Sequence, residues 1–267
     1  MYRPAVRHPR DRARAGDRLT DWNASAYDRV ADPQARWGAT MLERLPLEGG
    51  ERVLDAGCGT GRVTELLLAR LPRGSVVALD ASRTMLDEAR KRLARFGDQV
   101  EYVQADLGKP LPIDRPVDAI LSTATLHWVP DHDALFTNLA AVLRPGGMLV
   151  AQCGGFGNVA TLLATAVAVD PAFTREHNFQ TAEATRERLE RSGFIDVETW
   201  LSDEPTLFEP GGPFEAFLET VCLRTYLDQL APERRRAFVR AVAERMPQPV
   251  LDYVRLNIVA RRAAGPA

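Results

Sequence analysis

Val53-Leu54-Asp55-Ala56-Gly57-Cys58-Gly59-Thr60-Gly61 sets an acid at the end of an apolar run, followed by glycines at alternate positions. A dinucleotide fingerprint, G-x-G-x-x-G, would need its third glycine at position 62, where this chain has Arg62. Glycines let the backbone turn sharply and approach a ligand closely. A carboxylate among them disfavours a pyrophosphate and suits a ligand that carries an ammonium and a sulfonium.

Outward from this stretch, short β-rich runs alternate with helical patterns from about residue 51 to 154. That is the pattern of a parallel sheet wound with crossover helices. The expected strands are Arg52–Ala56, Ser75–Asp80, Val100–Ala105, Val117–Ser122 and Met148–Cys153, apolar at successive positions as strands buried on both faces should be. The helices between them read as Arg62–Leu71, Ser82–Phe96 and His132–Leu143. Ser82 and Asp131 or Asp133 stand as caps, and Arg144-Pro145-Gly146-Gly147 stops the last helix. Asp80 closes the second strand and Asp106 follows the third, so with Asp55 three acids fall in turn at the edge where open α/β sheets place ligands. Asp80 has the chemistry to accept both hydroxyls of a ribose, and Asp106 to accept from an adenine amine.

Upstream, Ala26 to Leu45 reads as an amphipathic pair of short helices. Downstream, Asn158–Val169 and Ala182–Ser192 are helical, and Phe194–Leu201 is a strand. Glu209-Pro210-Gly211-Gly212-Pro213 then opens a helical excursion, Phe214 to about Arg245, before a final strand near Tyr253–Arg261. The expected organisation is a flexible basic tail over 1–20 and one domain over 21–262. Its core covers about 46–155, and a helical cap, about 213–246, is inserted before the last strand. The sheet does not need that insertion, so it is expected to cover a site.

Composition narrows the function. A chain of 267 residues, 45% hydrophobic, can bury a sizeable core. A formal net charge of −2 gives no global field for nucleic-acid phosphates. Basic charge is almost wholly arginine, Lys91 and Lys109 apart, and the Arg-rich start from Met1 to Arg18 reads as a tail. No apolar run approaches the roughly 18 residues that cross a bilayer. Cys58, Cys153 and Cys222 make neither a disulfide framework nor a zinc-ligand spacing, so the expected setting is the cytoplasm, without metal.

These motifs strongly resemble those of class I S-adenosylmethionine-dependent methyltransferases: Asp55–Gly61, Asp80, Asp106 and Ser122–Trp128 match their first four motifs, and Arg144-Pro145-Gly146-Gly147 the turn before their fifth strand. Trp22-Asn23-x-x-x-Tyr27, Leu126-His127-Trp128-Val129 and Tyr253–Arg262 are similar to the trans-aconitate methyltransferase-like branch. The resemblance implies a Rossmann-like α/β fold, a seven-stranded mostly parallel sheet with helices on both faces and the last strand antiparallel. It implies S-adenosyl-L-methionine as donor and S-adenosyl-L-homocysteine as product. The implied donor-site residues are Asp55, Gly57, Cys58, Gly59, Gly61, Asp80, Ala81, Asp106, Leu107 and Thr123, with Tyr27 reaching over from the N-terminal segment. Cys153-Gly154-Gly155-Phe156-Gly157-Asn158 departs from the proline-bearing segment expected in that branch.

The acceptor is expected to be a small metabolite methylated on a carboxylate or hydroxyl oxygen. A carboxylate is already ionised at neutral pH and needs no base. A hydroxyl, an amine or a carbon acid needs one, and His127, just after the fourth strand, is the candidate. C- or N-methylation of a natural-product intermediate, and a catalytically silent donor-binding sensor or partner subunit, are the rival readings. Arg175, Arg186 and Arg224 are weighed as carboxylate clamps, with Tyr226 lining the same cavity, but among 34 basic residues no arginine stands out.

Overall fold

The computed structural model describes residues 32–174 and 177–264, with side chains from Arg36 onward. The strands are β1 Arg52–Ala56, β2 Ser75–Asp80, β3 Val100–Gln104, β4 Val117–Thr123, β5 Leu143–Gly154, β6 Phe194–Asp203, β7 Thr206–Leu207, β8 Val250–Leu251 and β9 Val254–Arg262. The α-helices are α1 Asp32–Glu43, α2 Arg62–Ala69, α3 Arg83–Leu93, α4 His132–Val142, α5 Ala160–Val169, α6 Ala182–Arg191, α7 Gly212–Phe217, α8 Arg224–Leu227 and α9 Pro232–Arg245.

Seven strands form one sheet in the order β3-β2-β1-β4-β5-β9-β6, and only β9 runs antiparallel to its neighbours. Chain order reverses beside β1, between β2 and β4, the crevice where open α/β sheets bind ligands. The strands are apolar on both faces because both are covered. Leu54, Val77, Leu79, Ile120 and Leu149 pack with Phe136, Leu139 and Leu189. Val53, Val76, Ala78, Leu121 and Val150 pack with Met41, Leu67 and Leu86. Ser82 caps α3 through Met85 N, and Asp131, not Asp133, caps α4 through the amides of Asp133 and Ala134.

Several boundaries differ from expectation for local reasons. After α3 the chain tightens into a 3₁₀ stretch, Ala94–Gln99, with Gly97 at φ 51°. The α4 helix ends at Val142, and Arg144–Gly147 bulges within β5: Val117 faces Leu143, but Ala119 faces Met148. Gly146, at φ 76°, makes the bend. Of the pair of short helices expected over Ala26 to Leu45, the described residues show one, α1 from Asp32 to Glu43; residues 26–31 lie outside them.

The excursion between β6 and β9 is helical, and those strands do pair, Phe194 opposite Arg262. It builds a third apolar cluster in which Phe214, Phe217, Phe238 and Val242 meet Leu162 and Ala166 of α5, Trp37 of α1, and Tyr253. A helical layer is therefore made of α5 together with α7 to α9, with an apolar core of its own apart from the two that cover the sheet. A small β7–β8 ribbon pins its two ends, Thr206 opposite Leu251.

Candidate active site

β1 lies near the middle of the sheet, so its last residues emerge between layers. Asp55 is 1% exposed and accepts a hydrogen bond from Thr64 Oγ1 on α2 at 2.6 Å; its other oxygen, Oδ1, has no hydrogen-bond partner among the described residues. Burial, with the nearby Asp80 charge adding to it, pushes the Asp55 carboxyl up to about 7 despite the threonine. Beyond Asp55 the amides of Gly57 and Cys58 both donate to Leu79 O, at 2.8 and 2.9 Å, folding the loop onto the end of β2. Gly57 has φ 85°, and a Cβ there would stand 2.2 Å from Thr125. Gly59, at φ 53°, is the opposite case: a Cβ would meet nothing within 4 Å, so the loop's main chain borders open space.

The Asp80 carboxylate ties this loop to the next one, with Oδ2 accepting from Gly59 N at 2.9 Å and Oδ1 from Ser82 N at 2.8 Å. Burial raises its pKa, and the backbone donors hold it down in part. Ala105 N donates to Asp80 O at 3.1 Å, so β2 and β3 end together and deliver Asp106 to the same edge. There Asp106 Oδ1 accepts from Gly108 N at 2.9 Å, and Lys109 Nζ lies 3.9 Å from Oδ2. The three acids thus stand at the C-terminal ends of adjacent strands.

The remaining expected residues divide by what their side chains do. Cys58 packs into the layer of Val63 and Leu67, and Leu107 into that of Phe136, so these two offer a ligand main chain only. Gly61, at φ 81°, starts α2. Ala81 is half-buried with its carbonyl accepting from Gln104 Nε2, and Thr123 closes β4 with its carbonyl accepting from Thr125 Oγ1. Tyr27, and Trp22 with it, lie outside the described residues.

At the end of β4 the chain turns through Ala124, φ 55°, into a 3₁₀ turn, Leu126–Trp128. His132 Nε2 donates to Leu126 O at 3.0 Å, and Asn178 N to His127 O at 2.8 Å, so the turn is held from two sides. His127 is 8% exposed and sits among the rings of Trp128, His177 and Phe179 at centroid distances of 5.2, 5.7 and 5.7 Å. Its Nδ1 accepts the Gly154 N–H at 3.2 Å, which leaves the neutral ring's proton on Nε2. Burial, then the charges of His177, Arg255 and His132, hold its pKa well below the usual histidine range. Such an imidazole donates a hydrogen bond from Nε2, and has no lone pair there with which to take a proton.

Gly154 explains the departure at Cys153–Asn158: a Cβ on it would lie 2.6 Å from the Phe179 ring, so the aromatic wall needs a glycine beneath it. Asn158 Oδ1 then accepts from Val254 N at 3.0 Å, locking this segment to the start of β9. The arginines weighed as clamps lie elsewhere: Arg186 is exposed, Arg224 faces Asp228 at 3.8 Å, and Tyr226 OH donates to Asp170. Arg175 falls outside the described residues. The buried arginine at this end of the sheet is Arg255, which the sequence reading missed. Its signal was there in Val254-Arg255-Leu256-Asn257-Ile258, where polar side chains alternate with apolar ones on a strand that is covered on both faces.

Comparison with known proteins agrees with this geometry. Residues 53–147 match the model of a methyltransferase domain family. The chain is 34% identical over 265 residues to a trans-aconitate 2-methyltransferase of Methylobacterium nodulans, covering 91% of this chain and 99% of that one. It is 31% identical to that of Escherichia coli, over 91% and 99%. Among solved structures, the fold superimposes on phosphoethanolamine N-methyltransferase 2 of Haemonchus contortus in complex with S-adenosyl-L-methionine, with TM-score 0.63 and 22% identity over 97% of this chain and 61% of that one. YcgJ of Bacillus subtilis gives 0.60 and 17%, over 86% and 99%.

Proposed function

The chain belongs to the trans-aconitate methyltransferase-like branch of the class I S-adenosylmethionine-dependent methyltransferases, and we propose that it methylates a carboxylate oxygen of a small organic acid of the trans-aconitate kind. The donor, when bound, supplies a methyl group made electrophilic by its sulfonium. The residues present suit it. Asp55 Oδ1, buried and unpartnered among the described residues, gains a counter-charge from the ligand's ammonium, and the open side of Gly59 admits a ligand against the main chain. Asp80 keeps further lone pairs for ribose hydroxyls, and Asp106 takes the adenine amine.

The observation that carries the carboxylate reading is the Gly154 N–H on His127 Nδ1. With that bond in place His127 is a donor, so the site suits a nucleophile that is already ionised and needs only to be held in line and kept dry. His127 orients the acceptor through Nε2–H, while the layer of α5 and α7–α9 acts as the cap that excludes water. Its expected setting is the cytoplasm, supported by cysteines that remain thiols among the described residues.

The test uses labelled donor with trans-aconitate. The expected product is heavier by one methylene and loses the label in mild alkali, as an ester does; an alkali-stable label would assign ether, nitrogen or carbon methylation instead. In His127→Gln the single-turnover rate should stay within about tenfold of wild type, and the wild-type rate should be flat from about pH 6 to 8, because a positioned base contributes roughly 10²–10⁴ where one is needed. A loss of that larger size with donor affinity unchanged would restore the base.

A further inference from the structure

Residues 177–180 stand against the turn that carries His127, and their polar side chains form a chain whose direction is fixed at both ends. Asn178 Nδ2 donates to Pro130 O at 2.9 Å and to Val129 O at 3.3 Å, carbonyls that can only accept. Asn178 Oδ1 is therefore the accepting end, and Gln180 Nε2 donates to it. That leaves Gln180 Oε1 to accept, which it does from Arg188 Nη1 of α6 at 2.9 Å, a group that can only donate. With carbonyls at one end and a guanidinium at the other, turning either amide over would set like against like. Arg188 Nε lies 3.5 Å from Asp133 of α4, which Arg191 also meets at 2.8 Å. Phe156 N donates to Gln180 O at 2.9 Å and joins the segment to the chain just beyond β5. The chain of bonds thus runs from an ion-pair cluster on the surface to the His127 turn. His177 and Phe179, two of the rings around the imidazole, ride on it.

We propose that Asn178, Gln180 and Arg188 form a one-directional hydrogen-bond relay that holds the acceptor side of the site in place, with Gln180 as its positioning residue. The inference rests on the reading of His127 as the group that orients the acceptor. A 3₁₀ turn of three residues has little stiffness of its own, so its direction comes from what grips it. His132 grips Leu126 O from one side, and from the other Asn178 takes three successive points, His127 O through its backbone N–H and Val129 O and Pro130 O through its side chain. In-line transfer punishes small displacements, and a shift of about 1 Å costs up to roughly a hundredfold in rate. A grip on the turn is therefore a grip on the chemical step.

Gln180→Glu separates the relay from simple anchorage, because the new carboxylate gains an ion pair with Arg188 and loses the donor toward Asn178 Oδ1. Its melting temperature should hold or rise, while single-turnover methylation of trans-aconitate slows about tenfold, KM moves by no more than a few-fold and donor affinity is unchanged. Asn178→Asp, which removes the donors to Val129 O and Pro130 O and keeps the acceptor, should slow the step at least as much. A Gln180→Glu enzyme as fast as wild type, or one whose rate and melting temperature fall together, overturns the proposal. Should that variant not melt cooperatively, Asn178→Asp decides: a slower step with full donor affinity supports the relay, and an unchanged one removes it. Nitrogen NMR of the His127 ring, assigned by comparison with His127→Gln, reads the relay without turnover. The Nε2–H resonance should shift or broaden in Gln180→Glu, and an unaltered resonance counts against the relay. Wild type inert toward trans-aconitate would bring down the carboxylate reading, and the resonance would still decide this one.

Discussion

The two halves of the crevice are built from different materials. On the proposed donor side, over β1, β2 and β3, the strand ends are tied largely by main chain and carboxylate: Gly57 and Cys58 on Leu79 O, Gly59 and Ser82 on Asp80, Gly108 on Asp106. On the other side, over β4, β5 and β9, stand rings and a guanidinium: His127, Trp128, His177 and Phe179 in mutual contact, and Arg255 on Trp37. A site built on main-chain hydrogen bonds tolerates side-chain drift around it. One built on side-chain tips can be retuned by a few substitutions. The donor half therefore suits a constant ligand, and the acceptor half a variable one.

The widest separation expected between the halves comes from removing the cap. Replacing Phe214–Arg245 by a short linker, with Leu162 made serine because α5 shares its apolar cluster with those helices, should abolish methyl transfer. Donor binding, read by calorimetry, should remain. A truncated protein without a cooperative melt would break the comparison, since the cap would then be a structural part of the domain. The next effect belongs to the donor half alone. Asp80→Ala removes charge-assisted hydrogen bonds worth about 1.5–3 kcal/mol each, so donor affinity should fall roughly 10²–10⁴-fold, with the preference among acids unaltered; nicotinamide dinucleotide should not compete.

The smallest effect is a pH dependence that should appear only on the donor side. Asp55 titrates at about 7 in the folded chain, far above the ordinary value of 3.8, so the native state keeps a proton that the unfolded chain has lost. Its contribution to stability is therefore greatest below about pH 4 and falls as pH rises toward 7. A bound ammonium favours the ionised form, so wild-type donor affinity should climb by at most tenfold per pH unit between about 5 and 7. Titrations across that range should find Asp55→Asn flat, and a wild-type slope that survives in the variant would assign the proton elsewhere.

The same division governed how much could be read from the sequence. β1 and β2 match their expected limits residue for residue, and Asp55, Asp80 and Asp106 align as expected, because strand ends and tight turns follow local patterns of apolar runs and glycines. The helical excursion and the pairing of its flanking strands were legible for the same reason. Arg255 was not, since its surroundings of Gly154, Trp37 and Gln152 come together only when two distant strands and α1 are packed. α5 was legible as a helix over Asn158–Val169, but not its partners, since Phe214 and Phe238 lie about 50 residues or more along the chain. Residues β7 and β8, two each, carry too little pattern to stand out. At His127 the residue was legible and its protonation was not, because the tautomer is set by a backbone amide far along the chain.

The position of β9 also has a consequence for the order in which the molecule can assemble. It lies between β5 and β6 but is synthesised after both and after the cap helices, and among the described strands β6 pairs with β9 alone within the large sheet. Five strands, β3-β2-β1-β4-β5, can close around the glycine loop once β5 has left the ribosome. β6 must wait for the chain to return. Pairings between distant segments form late, and an unpaired edge on β5 is meanwhile open to other chains. A nascent chain stalled within the cap would hold the three acids in place and still lack β9, so the open edge of β5 would persist for as long as the stall lasts.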